Sequence, residues 1–460
     1  MRACCHSATG SADPVQLLLA VHRFPPNSYG GTELYTLRLA EALARQGHQV
    51  RILTYAPSAT MTVAAQEDEY AGFPICRLHF HLAATDNPLL EEYDNRRVAV
   101  YLREHLRQQR PDLLHVTHLG FLSTSLLAVA RELGIPTAVT LTDFWAICPT
   151  GLLMRSDGSL CHGPEILGEC MRCYAHMGPR GRRYAYLSHL IPNALWKAGA
   201  TLAGEIGPGR WLRAARCRPA VVRERLLAAD ALLCPGRFQQ EVLALNGYPA
   251  VRLHHAPHGI RDPHALQRSA PIAQETVLRF GYIGPLSAHK GAHLPLAAWE
   301  TLGEPQGMTL TYWGALPDGQ PGQGYAQTLL ARLRETPDVA HQGPFANDAV
   351  RSVLEQMDVL MMPSLCYENT PTVIYEALAS GTPVLASDQG GMRELVQEYR
   401  GGWLFPRGDA RALGEWMRRL AADRREVQQT AASILPVPAF EAHVTQVLDL
   451  YARLTRERSD

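Results

Sequence analysis

The sequence has no apolar run near the roughly 20 residues that a membrane-spanning helix requires. It also has no net charge, because 44 Lys and Arg residues balance 44 Asp and Glu residues. Without a basic excess the chain lacks the electrostatic signature of nucleic-acid binding, so we expect no nucleic-acid partner. The G-x-G-x-x-G pattern is missing and no acid ends the second predicted strand, which disfavours an NAD-binding enzyme.

The start of the chain and its cysteines indicate the compartment. The first 13 residues show no periodicity and are predicted to be a disordered leader. The apolar stretch 15–21 is short and is followed by polar and Pro-rich residues rather than by a cleavage site. Several of the ten cysteines stand singly in apolar segments, as reduced core thiols do. We therefore expect a cytoplasmic protein.

Short apolar runs that alternate with helical segments predict an α/β chain. Several runs are short enough, and flanked closely enough by polar, Gly or Pro residues, to be strands buried on both faces of a parallel sheet. The 460 residues exceed what one core holds, so we expect two domains. The main predicted strands are residues 15–21, 49–55, 75–80, 113–116, 138–141, 231–234, 278–283, 309–313, 359–362 and 384–386, and the main predicted helices are 32–46, 88–109 and 438–456.

Residues 358–391 hold the most informative pattern. A predicted strand is followed by a loop and then by a helix with Thr370 as its cap, Pro371 at its first position and Gly381 as its stop. In a parallel sheet, ligands bind over the carboxyl ends of the strands, where this loop and helix start lie. The unpaired N–H groups near Thr372 and the positive end of the helix dipole favour an anion such as phosphate.

Two carboxylates, Glu368 and Glu376, flank this helix start. Both carboxylates are negative and would be repelled by a bound phosphate. Their expected partners are therefore uncharged donors such as sugar hydroxyls. A nucleotide sugar supplies both kinds of group. The alternative is that both are solvated acids near a helix N-terminus, where acidic residues are common.

The sequence PS-x(2)-YENTPTVIYEALASGTPVLAS-x(2)-GG resembles the donor-site signature of the retaining glycosyltransferases of family 4. This resemblance implies a GT-B fold, in which two Rossmann-like, doubly wound domains face a central cleft. It implies that Glu368 contacts the transferred sugar near the reacting carbon and that Glu376 holds the ribose. The other donor-binding residues implied at this helix start are Asn369, Thr370, Pro371 and Thr372.

Two glycine-containing loops extend the resemblance to the diphosphate. The stretch GGTELYTLRLAEALARQGHQV is similar to the family's N-terminal pattern, which implies that Gly30 and Gly31 close over the diphosphate from the opposite domain. In the loop GPLSAHKG, which starts at Gly284, Lys290 matches the family's phosphate-binding Lys. Pro285 stands where the family has an Arg, so Lys290 and the helix N-terminus have to supply more of the charge stabilisation.

The acceptor side departs from the family pattern. Many family members have a His where this chain has Thr142, so any proton transfer falls to Asp143 or His118. His118 follows the predicted strand 113–116 and is expected on the cleft side of the sheet. The alternative is a structural role for His118, which is the more frequent role of a lone His.

The resemblance implies a retaining hexosyltransferase that moves a sugar from a nucleoside diphosphate sugar to an acceptor hydroxyl. The chain has no DxD-like acid pair in a suitable loop, so we expect metal-independent catalysis that needs no cofactor. By family analogy the acceptor is a glycan or a lipid-linked acceptor in bacterial surface or extracellular polysaccharide biosynthesis. Two alternatives are a GT-B sugar-nucleotide epimerase and a non-catalytic nucleotide-sugar-binding protein, the latter suggested by Pro285 and Thr142.

The predicted domains are an acceptor-side domain, residues 1–255, a donor domain, residues 256–437, and a C-terminal helix, residues 438–460, that crosses back to the first domain. A Cys-rich insertion, residues 145–175, interrupts the first domain. It holds four cysteines within 26 residues, which is the ligand count of a tetrahedral structural zinc. Unrelated thiols are an equal alternative and a redox disulfide is a third. These cysteines are Cys148, Cys161, Cys170 and Cys173.

Residues 176–225 interleave basic with aromatic side chains. Such a segment can contact an anionic membrane surface, which would place the protein peripherally at the inner face of the membrane. The alternative, which we slightly favour, is a solvated helix pair with an ordinary apolar face.

Overall fold

Buried apolar runs form two separate β-sheets in the computed structural model, which describes residues 14–164, 167–177, 191–202, 209–272, 277–303, 305–317 and 322–456. The predicted leader, residues 1–13, and part of the basic and aromatic segment, residues 178–190, lie outside the described residues. No described helix has both the length and the apolar character of a membrane-spanning segment.

The first sheet has eight strands in the order β3-β4-β2-β1-β5-β6-β7-β8. All neighbouring pairs are parallel except β3 with β4. Its strands are β1 Gln16–Val21, β2 Gln49–Pro57, β3 Ala64–Tyr70, β4 Phe73–Phe80, β5 Leu113–Val116, β6 Thr137–Thr140, β7 Ala231–Cys234 and β8 Leu253–His255. The strand order reverses direction between β1 and β5, where such sheets bind their ligands.

The second sheet has six parallel strands in the order β11-β10-β9-β12-β13-β14. This is the 3-2-1-4-5-6 order of dinucleotide-binding folds, and its ligand-binding reversal point lies between β9 and β12. The strands are β9 Leu278–Ile283, β10 Met308–Trp313, β11 Val339–His341, β12 Val359–Met362, β13 Val384–Ser387 and β14 Gly402–Phe405. The predicted α/β class with two doubly wound domains is confirmed.

Helices cover both faces of the two sheets. In chain order the described helices are α1 Gly31–Arg45, α2 Pro88–Glu91, α3 Arg96–Gln109, α4 Ser125–Glu132, α5 Leu167–Met177, α6 Asn193–Leu202, α7 Gly209–Leu227, α8 Arg237–Leu245, α9 His293–Thr301, α10 Gly322–Glu335, α11 Val350–Leu354, α12 Thr372–Ser380, α13 Gly390–Glu398, α14 Ala410–Ala422, α15 Arg424–Ser433 and α16 Phe440–Arg456.

Two local predictions are wrong. The predicted helix 88–109 is two helices, because Asn87 caps α2 and Asn95 begins a new helix. Their side chains accept hydrogen bonds from the N–H groups of Leu90 and Val98, at 3.3 and 3.0 Å. Strand β3, with the polar sequence AAQEDEY, was missed because it is an exposed edge strand without apolar alternation. The short strands β8, β11 and β14 were not predicted either.

Helix α16 packs against the first sheet, and a buried polar network joins the two. Val447 and Leu450 belong to the same apolar cluster as β1 and α1. The Tyr35 hydroxyl lies 2.8 Å from His443 Nε2. The two ring nitrogens of His115 each have a partner. Nδ1 lies 2.5 Å from the hydroxyl of Tyr451, and Nε2 lies 2.7 Å from Oγ1 of Thr140. The C-terminal helix is therefore fixed to the first domain by apolar and hydrogen-bonding contacts.

We expect the protein to lose stability as the pH falls from 7 to about 5, because buried histidines must gain protons on unfolding. Burial lowers the pKa of His115 to about 3 and that of His443 to about 4, and it lowers the pKa of His258 well below the usual value. Histidines of the unfolded chain titrate near 6.5, so this stability is complete above that pH and is lost as the pH falls towards the folded pKa values.

The substitution His443→Gln should reduce that loss of unfolding free energy by on the order of 1 kcal/mol. Thermal unfolding of both proteins at several pH values measures the difference. Curves that stay parallel between pH 7 and 5 would contradict the assignment.

Candidate active site

A cleft of about 520 Å³ lies between the carboxyl ends of the two sheets. The first domain contributes the N-terminal half of α1 and Thr142. The second domain contributes the loops that follow β9 and β12 and the start of α12. Of the predicted donor-binding residues, those that line the cleft are Gly31, Gly284, Lys290, Glu368, Asn369, Thr370, Pro371, Thr372 and Glu376.

An ion pair between Lys290 and Glu368 lies in this cleft. Lys290 Nζ donates to both carboxylate oxygens of Glu368, at 2.7 and 2.9 Å, and Ser364 Oγ donates to Oε1 at 2.7 Å. Burial alone would lower the pKa of Lys290 and raise that of Glu368, but the attraction between them reverses both shifts. Both side chains are therefore charged at neutral pH, which leaves a cation and a carboxylate side by side.

Backbone contacts hold the two loops that carry this pair. The N–H group of Leu365 donates to the carbonyl of His289 at 2.8 Å, and Gln389 Nε2 donates to the carbonyls of Ser364 and Cys366 at 2.7 and 2.9 Å. Gly291 has a φ of +65°, and a Cβ atom there would lie 1.9 Å from a backbone oxygen. Only glycine permits this close approach of the two loops.

Helix α12 begins at Thr372, one residue later than predicted. Pro371 is the N-cap with extended backbone angles and no side-chain cap, so neither the cap at Thr370 nor the helical position of Pro371 is correct. The N–H group of Ile374 donates to the carbonyl of Pro371 at 3.0 Å, whereas the N–H groups of Thr372 and Val373, at the wall of the cleft, precede the first hydrogen bond within the helix. They are suited to an anion.

Asn369 connects the two domains. Its Nδ2 donates to the carbonyls of Leu141 and Thr142 in the first domain, at 3.2 and 3.3 Å. Glu394 of α13 makes a second connection, because its carboxylate accepts from the N–H groups of Arg237 and Phe238 at the start of α8, each at 2.8 Å. These bonds hold the cleft walls at a fixed spacing.

Glu376 is a partly buried carboxylate that forms no ion pair with any described residue. Burial raises its pKa to about 7, and the positive charge of Arg38 opposes this rise only in part. At neutral pH the carboxyl group is thus protonated in part of the molecules, and it can both donate to and accept from hydroxyl groups.

Arg38 is a cleft residue that the sequence analysis missed. It lies on the face of α1 that also carries Gly31 and Tyr35, and all three line the cleft. The spacing of four and seven residues would have placed them on one helical face.

Gly30, by contrast, is the N-cap of α1 and is not among the residues that line the cleft. A Cβ atom at Gly30 would lie 2.5 Å from the carboxylate of Glu33.

His118 and Asp143 form a pair at the reversal point of the first sheet, outside the residues that line the cleft. His118 Nε2 lies 3.1 Å from Asp143 Oδ2, and the Gly120 N–H donates to Nδ1 at 2.9 Å. The ring proton is therefore on Nε2 and is donated to Asp143. Burial would raise the pKa of Asp143, but His118 and the N–H of Trp145 hold it below its usual value. The Asp143 side chain is 40 % exposed and accessible to a ligand.

The zinc hypothesis requires the four clustered cysteines to come together, but no three of their sulfur atoms lie within 4.8 Å of one another. All four line one small cavity of about 30 Å³. Burial raises the pKa of Cys170 to about 12, and the three other thiols raise it further. The residues that line the cavity include Cys148, Cys161, Cys170 and Cys173.

Known structures share this architecture. Sucrose-phosphate synthase from Thermosynechococcus elongatus superimposes with a TM-score of 0.60 at 17% identity, over 96% of this chain and 99% of that one. Anabaena Alr3699/HepE, solved in complex with UDP and glucose, superimposes with a TM-score of 0.58 at 16% identity, over 95% and 99%. At this identity the likeness establishes the fold. The two facing sheets therefore have the GT-B fold of glycosyltransferases.

Sequence comparisons give the family. Residues 29–165 match the profile of Glycosyltransferase Family 4, and residues 278–423 match that of Glycosyl transferases group 1. The first domain thus matches a glycosyltransferase family 4 profile and the second a glycosyl transferases group 1 profile.

Two curated relatives extend the comparison. One is the amylovoran biosynthesis glycosyltransferase AmsK of Erwinia amylovora, 28% identical over 243 residues. Another is the putative colanic acid biosynthesis glycosyltransferase WcaL of Escherichia coli K12, 33% identical over 155 residues. The matches cover 50% and 33% of this chain, and they span 58% and 37% of the lengths of those relatives.

Replacing Glu376 with Gln should change how stability depends on pH. The folded pKa of about 7 lies above the usual 4.5, so the wild type loses stability as the pH rises through this interval. The Gln variant lacks this titration. Its unfolding free energy relative to wild type should increase by on the order of 1 kcal/mol from pH 5 to pH 8. Denaturant unfolding at both pH values measures this increase, and a difference that does not change with pH would show that the carboxylate is not desolvated.

Proposed function

We propose that this protein transfers a sugar from a nucleoside diphosphate sugar to an acceptor hydroxyl, with retention of the anomeric configuration. One observation supports this most strongly: the Lys290–Glu368 pair, Glu376 and the N-termini of α1 and α12 all border a single cleft. The cleft thus combines cationic and N–H groups for a diphosphate with carboxyl groups for hydroxyls.

The donor fits this cleft in one orientation. The diphosphate lies between the N-termini of α1 and α12, where helix dipoles and free N–H groups favour an anion. Lys290 and Arg38 add positive charge. Glu376 accepts from or donates to the ribose hydroxyls, and Glu368 accepts from the hydroxyls of the transferred sugar while Lys290 holds its carboxylate in place. These roles match those that the family resemblance implies.

The reaction breaks the bond between the anomeric carbon and a diphosphate oxygen. The bonding electrons pass to that oxygen, and its growing negative charge is stabilised by Lys290, Arg38 and the first-turn N–H groups of α12. The acceptor oxygen attacks from the face that the diphosphate leaves, which retains the configuration, and the released phosphate oxygen takes the acceptor's proton. Charge neutralisation by these groups makes the proposed mechanism independent of a divalent metal.

The acceptor approaches from the first domain. Thr142 lines the cleft, and the adjacent Asp143 presents an exposed carboxylate that His118 and the Trp145 N–H hold in position. Such a carboxylate orients an acceptor hydroxyl by accepting its hydrogen bond. The names of the relatives, amylovoran and colanic acid biosynthesis glycosyltransferases, support a polysaccharide acceptor, either a glycan or a lipid-linked one.

If the acceptor is lipid-linked, the proposal includes peripheral contact of the protein with the membrane. Two exposed apolar side chains near the basic and aromatic segment support it, Leu195 of α6 and Trp211 of α7, which are 61% and 41% exposed. Exposed aromatic and aliphatic groups beside basic residues are typical of surfaces that contact the membrane interface.

A donor screen tests the proposal. We expect one of the UDP-, GDP- or ADP-sugars to raise the melting temperature in a thermal-shift assay, because a ligand bound to the folded state stabilises it. With that donor in labelled form and an oligosaccharide or lipid-linked acceptor, NMR should show a product of retained configuration. Conversion of the donor to an isomer without acceptor would indicate an epimerase, and binding without either product would indicate a non-catalytic protein.

Replacement of Arg38 by Ala should weaken the donor site. We expect the turnover of donor to fall on the order of 100-fold, because removal of one group that stabilises the developing charge typically has an effect of this size. Arg45→Ala, at the exposed end of the same helix, is the matched control and should change turnover little. Equal effects of the two substitutions would show that Arg38 acts on the helix and not on the donor.

A further inference from the structure

The four clustered cysteines are not used by the proposed transfer. Cys148 follows the loop after β6, Cys161 lies beyond a short antiparallel bridge, and Cys170 and Cys173 lie on α5. All four side chains line the same cavity of about 30 Å³. Unrelated thiols separated by up to 25 positions have no reason to share one cavity.

We infer that these four cysteines bind one structural zinc ion. Four thiolates are the donor set of a closed tetrahedral zinc site, and the cavity is large enough for one ion. Binding replaces four S–H bonds by four Zn–S bonds, with release of four protons. The sulfur atoms must close to about 3.8 Å from one another, since each lies about 2.3 Å from the metal. In the structure no three of the four sulfur atoms lie within 4.8 Å of one another, so the loop must contract on binding.

A second group of donors is a competing site. Among the described residues, one set of three or more donor atoms lies within 4.8 Å of one another, and it consists of Glu67, Cys76 and His105. Glu67 already forms an ion pair with Arg51 at 3.1 Å. This set offers three donors of three kinds, whereas the cysteine cluster offers four identical soft donors. We therefore place the zinc at the cysteines and use the other set as a control.

The zinc would fix a loop that contacts both domains. Gly151 has a φ of +69°, and a Cβ atom there would lie 2.7 Å from the carboxylate of Asp143. The carbonyl of Gly158 accepts a hydrogen bond from Arg407 of the second domain, and the carbonyl of His162 accepts from Asn246 at 2.8 Å. The loop thus packs closely against Asp143. An effect of the loop on the acceptor rests on the proposed function. The inference that the cysteines bind zinc does not.

Metal analysis of the full-length protein tests the inference. After expression with added zinc and purification without chelator, we expect about one equivalent of zinc per chain. Cys170→Ser and Cys173→Ser should each reduce the bound zinc at least 5-fold and lower the melting temperature. Cys217→Ser, a free cysteine on α7 outside the cluster, and Cys76→Ala, in the competing set, should keep the full equivalent.

Two outcomes would overturn the inference. One is a wild-type zinc content below about half an equivalent. The other is loss of zinc from Cys76→Ala but not from Cys170→Ser. Because a cysteine variant can fail to fold, Co²⁺ exchanged into the wild type gives a second measurement. Strong charge-transfer and visible bands of a tetrahedral cobalt–thiolate site support the assignment, and a weak octahedral spectrum contradicts it.

Donor binding separates this inference from the proposed function. Zinc content is measured without any sugar nucleotide, so a failed donor screen leaves the metal result intact. Where transfer is found, Cys170→Ser should reduce acceptor transfer about 10-fold or more while the donor-induced thermal shift remains, because the loop packs against Asp143 and contributes no residue to the lining of the cleft. A lost donor shift in a folded variant would contradict this role.

Discussion

The ion pair between Lys290 and Glu368 is the interaction on which the cleft depends. Each charge alone would be costly in a partly buried site, and together they neutralise each other. The pair also joins the loops that follow β9 and β12, the two strands at which the second sheet reverses its order. The sheet topology brings these loops side by side, and the ion pair places one cation and one carboxylate where the loops meet. A cation for phosphate and a carboxylate for hydroxyls result from a single contact.

The second constraint is the fixed spacing of the two domains. Asn369 reaches from the loop beside Glu368 to the carbonyls of the first domain, and Glu394 caps a helix of that domain. Helix α16 returns from the second domain and packs on the first sheet through Tyr451 and His443. Three contacts from different parts of the chain therefore hold the facing sheet edges together. Under the proposed function, this fixed spacing would help to keep water from a reactive donor, which limits hydrolysis.

Much of the fold could be predicted from the sequence, because strands buried on both faces appear as apolar runs. The predicted bounds of β5, β7, β9 and β12 agree with the structure. The edge strand β3 has no such run and was missed. At the site, Lys290 and Glu376 lie in the predicted cleft, since their motifs fix them to one loop and one helix. The distance of His118 and Asp143 from that cleft could not be predicted, because it depends on how the two domains meet.

Arg38 shows how the substitution at Pro285 can be tolerated. The family resemblance places an Arg at that position of the second domain, and here Pro285 and Arg38 line the same cleft from opposite sides. Under the proposed function the second cation is supplied by the first domain. Its charge then acts on the diphosphate only while the domains are held together, because Coulomb energy falls with distance. Charge stabilisation and domain closure become coupled, so a donor bound to the second domain alone lacks one of the groups that activate it.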